Sequence, residues 1–202
     1  MKSDKTKIRN AATIIVVRNK HDKPSVLMGQ RGVDAAFMPS KFVFPGGAVD
    51  DQDLSIDIND SINEVCKNRL LKENKNGSWN ALVAAAIREL FEETGLVLKD
   101  AQCKAELRLV EQKGPQWLGF VYIAEADACS YTIHQTPEAE PFWMEIDQIP
   151  YHQMWPDDEI WLPAVLAKRD DSHILVYDFL LRGDELIDHQ LQRNKTSSLM
   201  VD

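Results

Sequence analysis

Cysteine is scarce in this chain, and the three present do not group. Cys66, Cys103 and Cys129 are widely spaced with no C-x-x-C pair, which excludes a dense disulfide scaffold, a zinc knuckle and a redox dithiol motif, and fits the reducing cytoplasm. No apolar run approaches the roughly 20 residues needed to span a bilayer. Basic residues are outnumbered, 23 against 32 acidic, for a formal net charge of −9. Long-range electrostatics therefore oppose a non-specific grip on a nucleic-acid polymer or an anionic membrane. A polyanionic ligand would need a local exception, such as a bound divalent cation.

The chain also has no internal repeat, low-complexity tract or linker, so its 202 residues read as one domain, 1–202. A hydrophobic share of 44%, with five Trp, seven Phe and four Tyr, is enough for a conventional core. The basic opening MKSDKTKIRN and the apolar 11-AATIIVV-17 imitate the first two regions of a signal peptide, but no small-residue cleavage site follows, so that run reads as a strand. Strands are expected at Ala11–Val17, Ser25–Met28, Phe42–Phe44, Glu106–Val110, Trp117–Ala124, Phe142–Ile146 and Ile174–Leu180, in a mixed sheet.

Three helices are signalled. In 61-SINE-64, Ser61 and Glu64 have capping-box spacing, and Ile62, Val65 and Cys66 begin an apolar stripe. A second helix should run from Asn80 to Thr94, with Val83, Ile87 and Leu90 on one face and Gly95 as a left-handed terminator. A third is expected from Asp157 to Lys168, with acids at its start; Pro163 predicts a kink or a late start.

On the second helix Glu89, Glu92 and Glu93 stand at i, i+3 and i+4, which predicts three acids on one face opposite the apolar stripe. Like charges at these spacings repel, so a cation should compensate them; Arg88, four residues before Glu92, can serve one. Oxygen-only ligands of this kind suit Mg²⁺ or Mn²⁺ rather than zinc. A merely solvated acidic face is the plain alternative.

The run 88-RELFEETGL-96 resembles the second half of the Nudix box, R-E-U-x-E-E-x-G-U with U aliphatic. The resemblance implies an α/β fold, a Nudix-type α/β/α sandwich around a mixed sheet, and Mg²⁺- or Mn²⁺-dependent hydrolysis of a diphosphate in a nucleotide. It also implies that Glu89, Glu92, Glu93 and Gly47 hold metal, with catalytic roles for Arg88 and Glu92. A further carboxylate from 136-TPEAEP-141, Glu138 ahead of Glu140, would act as base. A homodimer is compatible with the family.

The box's first half, G-x5-E-x7, departs from the family. Gly47 matches its glycine, but the position eight residues before Arg88 is Asn80, and an insertion with its own helix occupies about 48–79. Asp50 and Asp51 are candidate replacements for the glutamate. Insertions here resemble those of the CoA-hydrolysing branch, so CoA or acyl-CoA is the alternative small-molecule substrate. Asn80 alone supports a non-catalytic nucleotide-sensing module.

The C-terminal segment, with DQIP, then MWPDD, then Trp161 and Pro163, resembles the oxidised-purine nucleoside triphosphatases of the same superfamily. That likeness implies that Trp155, Asp157 and Asp158 bind a purine. A structural reading of WPDD alone is a helix start capped by Asp157, with Trp155 in the core. The purine-reading Asn of those enzymes is matched here by Val43, which can neither donate nor accept a hydrogen bond.

Overall fold

The computed structural model describes residues 8–20, 23–33, 39–58, 61–73, 79–97, 99–112, 116–126, 133, 139–167, 173–183 and 185–196. Nine strands form one sheet: β1 Ile8–Lys20, β2 Lys23–Arg31, β3 Phe42–Val43, β4 Gly46–Ala48, β5 Gln102–Glu111, β6 Gln116–Glu125, β7 Ala139–Glu145, β8 His173–Arg182 and β9 Glu185–Thr196. Among the described residues three α-helices accompany them: α1 Glu64–Glu73, α2 Trp79–Thr94 and α3 Asp158–Ala167. The strand order is β3-β2-β1-β6-β5-β8-β9, with β4 paired to β1 and β7 to β2. The β1–β6 and β5–β8 pairs are parallel and the others antiparallel, so the sheet is mixed as expected.

Alternation along each strand sends side chains to two separate cores. On β1, Ala12, Ile14 and Val16 join one and Ile15 the other; on β8, Ile174 and Val176 oppose Leu175, Tyr177 and Phe179. The first core takes Leu82, Val83, Ala86 and Leu90 of α2 with Ile62 and Cys66. The second takes Trp161, Leu162 and Val165 of α3. Helices on both faces of a mixed sheet are the α/β/α layering of the Nudix fold.

The split between β1 and β2 positions the site. They pair only from Val17↔Val26 to Lys20↔Lys23; further along, β1 turns to β4 (Ala12↔Gly47) and β2 to β3 (Gly29↔Val43). Pro45, between β3 and β4, accepts the Ile14 amide through its carbonyl at 2.9 Å. The Pro-Gly-Gly turn is thereby held against the middle of the sheet.

Several expectations need correction. Ser61 does not cap α1: Asn63 does, its Oδ1 accepting the Cys66 amide at 2.8 Å. Ser61 and Ile62 instead pair with Ala101, whose amide donates to Ser61 O at 2.9 Å. Ile62 and Cys66 are buried as expected, whereas Val65 points to solvent. The helix α3 starts promptly at Asp158 and includes Pro163. Strands β4 and β9 were not foreseen, because Gly-Gly-Ala has no side-chain period and β9 is a polar edge strand. Gly95 has φ 76°, the left-handed stop expected of it.

The insertion is thus partly core. The Cys66 sulfur accepts the Cys103 amide at 3.2 Å, tying α1 to β5. Ile62→Ala should therefore cost about 2–4 kcal/mol by urea unfolding; a loss below about 0.5 kcal/mol would place the segment outside the core.

Candidate active site

The helix α2 is buried all round from Ala81 to Ala86, so its polar chemistry is confined to the last two turns. There Arg88 organises the acids. Its Nε and Nη2 grip the two oxygens of Asp53 at 2.9 and 3.2 Å, its Nη1 donates to Glu89 Oε1 at 2.8 Å and Glu92 Oε2 at 3.0 Å, and its Nη2 donates to the Ala48 carbonyl at 3.1 Å. All five guanidinium donors are matched. The pKa of Arg88 is raised, first by the bond to Asp53, which outweighs the lowering from burial, and further by Glu89 and Glu92.

Asp53 is fully buried in the short 3-10 turn Asp51–Ser55, where its Oδ2 also accepts the Asp50 amide at 2.7 Å. It lies six residues after Gly47, the G-x5-E spacing of the box, with Asp in place of Glu. The apparent loss at Asn80 came from counting backward from Arg88. Counting forward from Gly47 finds the acid, and the insertion belongs to the x7 spacer, residues 54–87. Asn80 is exposed on the first turn of α2. Of the two acids expected to substitute, Asp50 approaches Arg88 only to 3.8 Å and Asp51 is exposed.

The three glutamates do not share one solvent-facing surface. Glu92 is half exposed, Glu89 mostly covered and Glu93 buried. Gly47 is needed where it stands, because a Cβ there would lie 2.1 Å from Glu89 Oε1. Glycine thus lets the Glu89 carboxylate lie against the turn. Among the described residues no three His, Cys, Asp or Glu side chains form a ready-made metal cluster, consistent with Arg88 drawing Glu89 and Glu92 to itself. The donor chemistry, carboxylate oxygens with a backbone carbonyl beside a glycine, still fits Mg²⁺ or Mn²⁺. Glu138 lies outside the described residues; Glu140 is exposed on β7.

At the start of α3 a second acidic group lies against the other core. Asp157 is buried, with Oδ2 accepting the Trp161 indole N–H at 3.2 Å and Oδ1 without a partner among the described residues. Its side chain therefore faces Trp161 instead of capping the helix. Asp158 Oδ2 accepts the Trp155 amide at 3.1 Å, and Trp155 is half-buried, not a core residue. Burial lifts Asp157 from 3.8 to about 6, and burial followed by the charge of Asp157 lifts Asp158 well above its usual range. Two adjacent carboxyls in one apolar corner cannot both ionise cheaply. Val43 belongs to neither core.

A family model for the NUDIX domain matches residues 79–165. An oxidized purine nucleoside triphosphate hydrolase from Danio rerio is 32% identical over 125 residues, covering 57% of this chain and 78% of that protein. The chain belongs to the Nudix family. It is a Nudix hydrolase, which removes the sensing-module alternative along with the reading of Asn80 that supported it. A Mus musculus protein of the same description is 39% identical over 84 residues, covering 42% of this chain and 53% of that one. Among solved structures, a mutator MutT protein from Bacillus halodurans superposes with a TM-score of 0.62 at 21% identity, covering 92% of this chain and 98% of that one. The NUDIX domain of Shewanella oneidensis NrtR, solved with ADP ribose, has a TM-score of 0.52 at 15% identity over 81% of this chain and 89% of that one. Both show the fold. No helix is long and apolar enough to cross a membrane among the described residues.

The raised pKa of Asp157 has a consequence for stability. A folded pKa above the usual value means that this carboxyl costs stability as pH rises from about 4 through about 6. Asp157→Asn keeps an acceptor for Trp161 and cannot ionise. It should flatten that part of the stability profile and raise stability at pH 7 by on the order of 1–3 kcal/mol. Denaturant melts across pH 4–8 would show it; an unchanged slope would mean that Asp157 is solvated.

Proposed function

We propose that this Nudix hydrolase is a metal-dependent pyrophosphohydrolase, a single domain over 1–202, that cleaves an oxidised purine nucleoside triphosphate to the monophosphate and pyrophosphate. The observation that carries the reading is the buried Asp157 Oδ1, without a partner among the described residues and next to the half-buried Asp158 and Trp155. A buried carboxyl oxygen without a partner is costly unless a ligand completes it. A purine edge presents the donors and acceptors that would do so, and the Trp155 ring offers a face for its plane. A pair that retains a proton can donate to a carbonyl as well as accept from an N–H, which widens the set of base edges it can read. The names of the Danio rerio and Mus musculus relatives point to the same substrate class.

Bound Mg²⁺ or Mn²⁺ would neutralise the diphosphate and acidify a coordinated water. Glu89, Glu92 and Glu93, with the Gly47 carbonyl, are the proposed ligands. Arg88 keeps two of these glutamates oriented from its anchor on Asp53, and Gly47 leaves room for the Glu89 carboxylate. Glu138, which precedes β7 in the sequence, is the proposed general base. The alternative, a CoA or acyl-CoA diphosphatase, is favoured by Val43 in place of a base-reading amide. It is weakened by the burial of Ile62 and Cys66, since an insertion docked in the core is less free to shape a rim for a long substrate.

Initial rates with Mg²⁺ on oxidised and ordinary purine triphosphates, pyrimidine triphosphates and CoA would test the proposal. Oxidised purine triphosphates should lead by at least about tenfold in kcat/KM. A preference for CoA would overturn the reading. Glu92→Gln should leave melting nearly unchanged while cutting turnover by at least about a hundredfold; retained activity would remove Glu92 from the metal set.

A further inference from the structure

Lys41 stands just before β3, outside both the Nudix box and the WPDD segment. Its carbonyl accepts the Arg31 amide at 3.0 Å, fixing it to the end of β2. Its ammonium reaches across to the carbonyl of Met154 at 3.1 Å. Met154 is buried and immediately precedes Trp155, whose amide is bonded to Asp158. The half-buried Lys41 thus grips the turn that leads into both carboxyls, from a different element, and its positive charge is felt at Asp158.

We infer that Lys41 is a positioning residue for base recognition: it anchors the Met154–Trp155 turn from just before β3 and sets its positive charge on the Asp158 side of the pair, so that the pair can offer an acceptor to a base edge. This rests on the proposed purine reading of the pair. A fixed cation beside Asp158, half-buried next to the buried Asp157, favours the ionised form and so opposes the desolvation that favours the neutral form. Without it the corner would stay protonated to higher pH and would present a donor where a base edge requires an acceptor. The favourable effect of the Lys41 charge on Asp158 ionisation is of this sign. The other polar groups facing the pair are accounted for. The Trp155 amide and the Trp161 indole donate to it, and both favour its charged form. Tyr151, on the turn before, has its phenol held above the usual value first by burial and then by the charges of Asp158 and Glu159, so it stays neutral while the carboxyls titrate. Glu159 is exposed on the first turn of α3. Lys41 is the cation named among these groups.

The test follows the Trp161 indole N–H resonance against pH in nucleotide-free protein, since that proton is bonded to Asp157. In Lys41→Met and Lys41→Gln the transition should move upward by about one pH unit, and Lys41→Arg should keep it near the wild-type position. The pH profile of kcat/KM for a purine triphosphate should move in the same direction, while that for a pyrimidine triphosphate should not. A lower amplitude with an unmoved transition in both neutral variants would make Lys41 a structural tether only and would overturn the inference. A shifted transition with an unshifted purine profile would leave the Lys41 assignment standing and sink the purine reading instead.

Discussion

Everything at the catalytic end depends on one guanidinium. Arg88 is the point where the end of β4, the short turn that carries Asp53 and the last turns of α2 meet, and each of its donors goes to a different neighbour or a different oxygen of one. Two glutamates of like charge can stand side by side only because that cation lies between them and is itself neutralised from behind by a buried aspartate. A lysine could not do this, since a point charge cannot fork to a carboxylate on one edge and two more acceptors on the other. The sheet supplies the rigid base: Pro45 and Gly46–Ala48 are pinned to β1, so the Ala48 carbonyl does not move relative to the helix above it.

The second acidic site obeys the opposite electrostatic logic. Around Arg88 opposite charges are balanced at close range. At Asp157 and Asp158 the cation nearby, Lys41, is engaged with a backbone carbonyl, the surroundings are aromatic and aliphatic, and the protein tolerates carboxyls that hold protons unusually well. One corner is built to meet positive charge and the other to exchange hydrogen bonds with a neutral, planar group. Both are carried by α-helical ends on opposite faces of the same sheet, α2 on one and α3 on the other.

Much of this was legible in the chain. The alternation in β1 and β8, the reach of α2, the glycine stop at Gly95 and the acids at 89, 92 and 93 all follow from local periodicity and motif spacing, which sequence displays directly. What was not legible depended on partners distant in the chain. Asp50 and Asp51 were the acids expected to replace the box glutamate; the spacing from Gly47 marks Asp53 instead, but only the fold shows that Arg88 comes to it. Ser61 looked like a cap, because its pairing with Ala101 is a tertiary event. The exposure of Glu92 against the burial of Glu93 likewise depends on what lies above the helix end. Lys41 carries no motif signal, since its role arises from crossing between two elements.

The position of Asp53 ahead of the insertion also bears on how the chain reaches its fold. In the uninterrupted box the arginine and its acid are close in sequence, so the contact forms almost locally. Here residues 54–87 separate them, and closing the longer loop costs roughly 1 kcal/mol more in chain entropy. The pairing of Ile62 with Ala101 and the docking of Cys66 on Cys103 are further contacts across a wide separation. The inserted helix therefore raises the contact order of the catalytic corner, so that an otherwise near-local contact carries part of the loop-closure cost that the sheet pairings also bear.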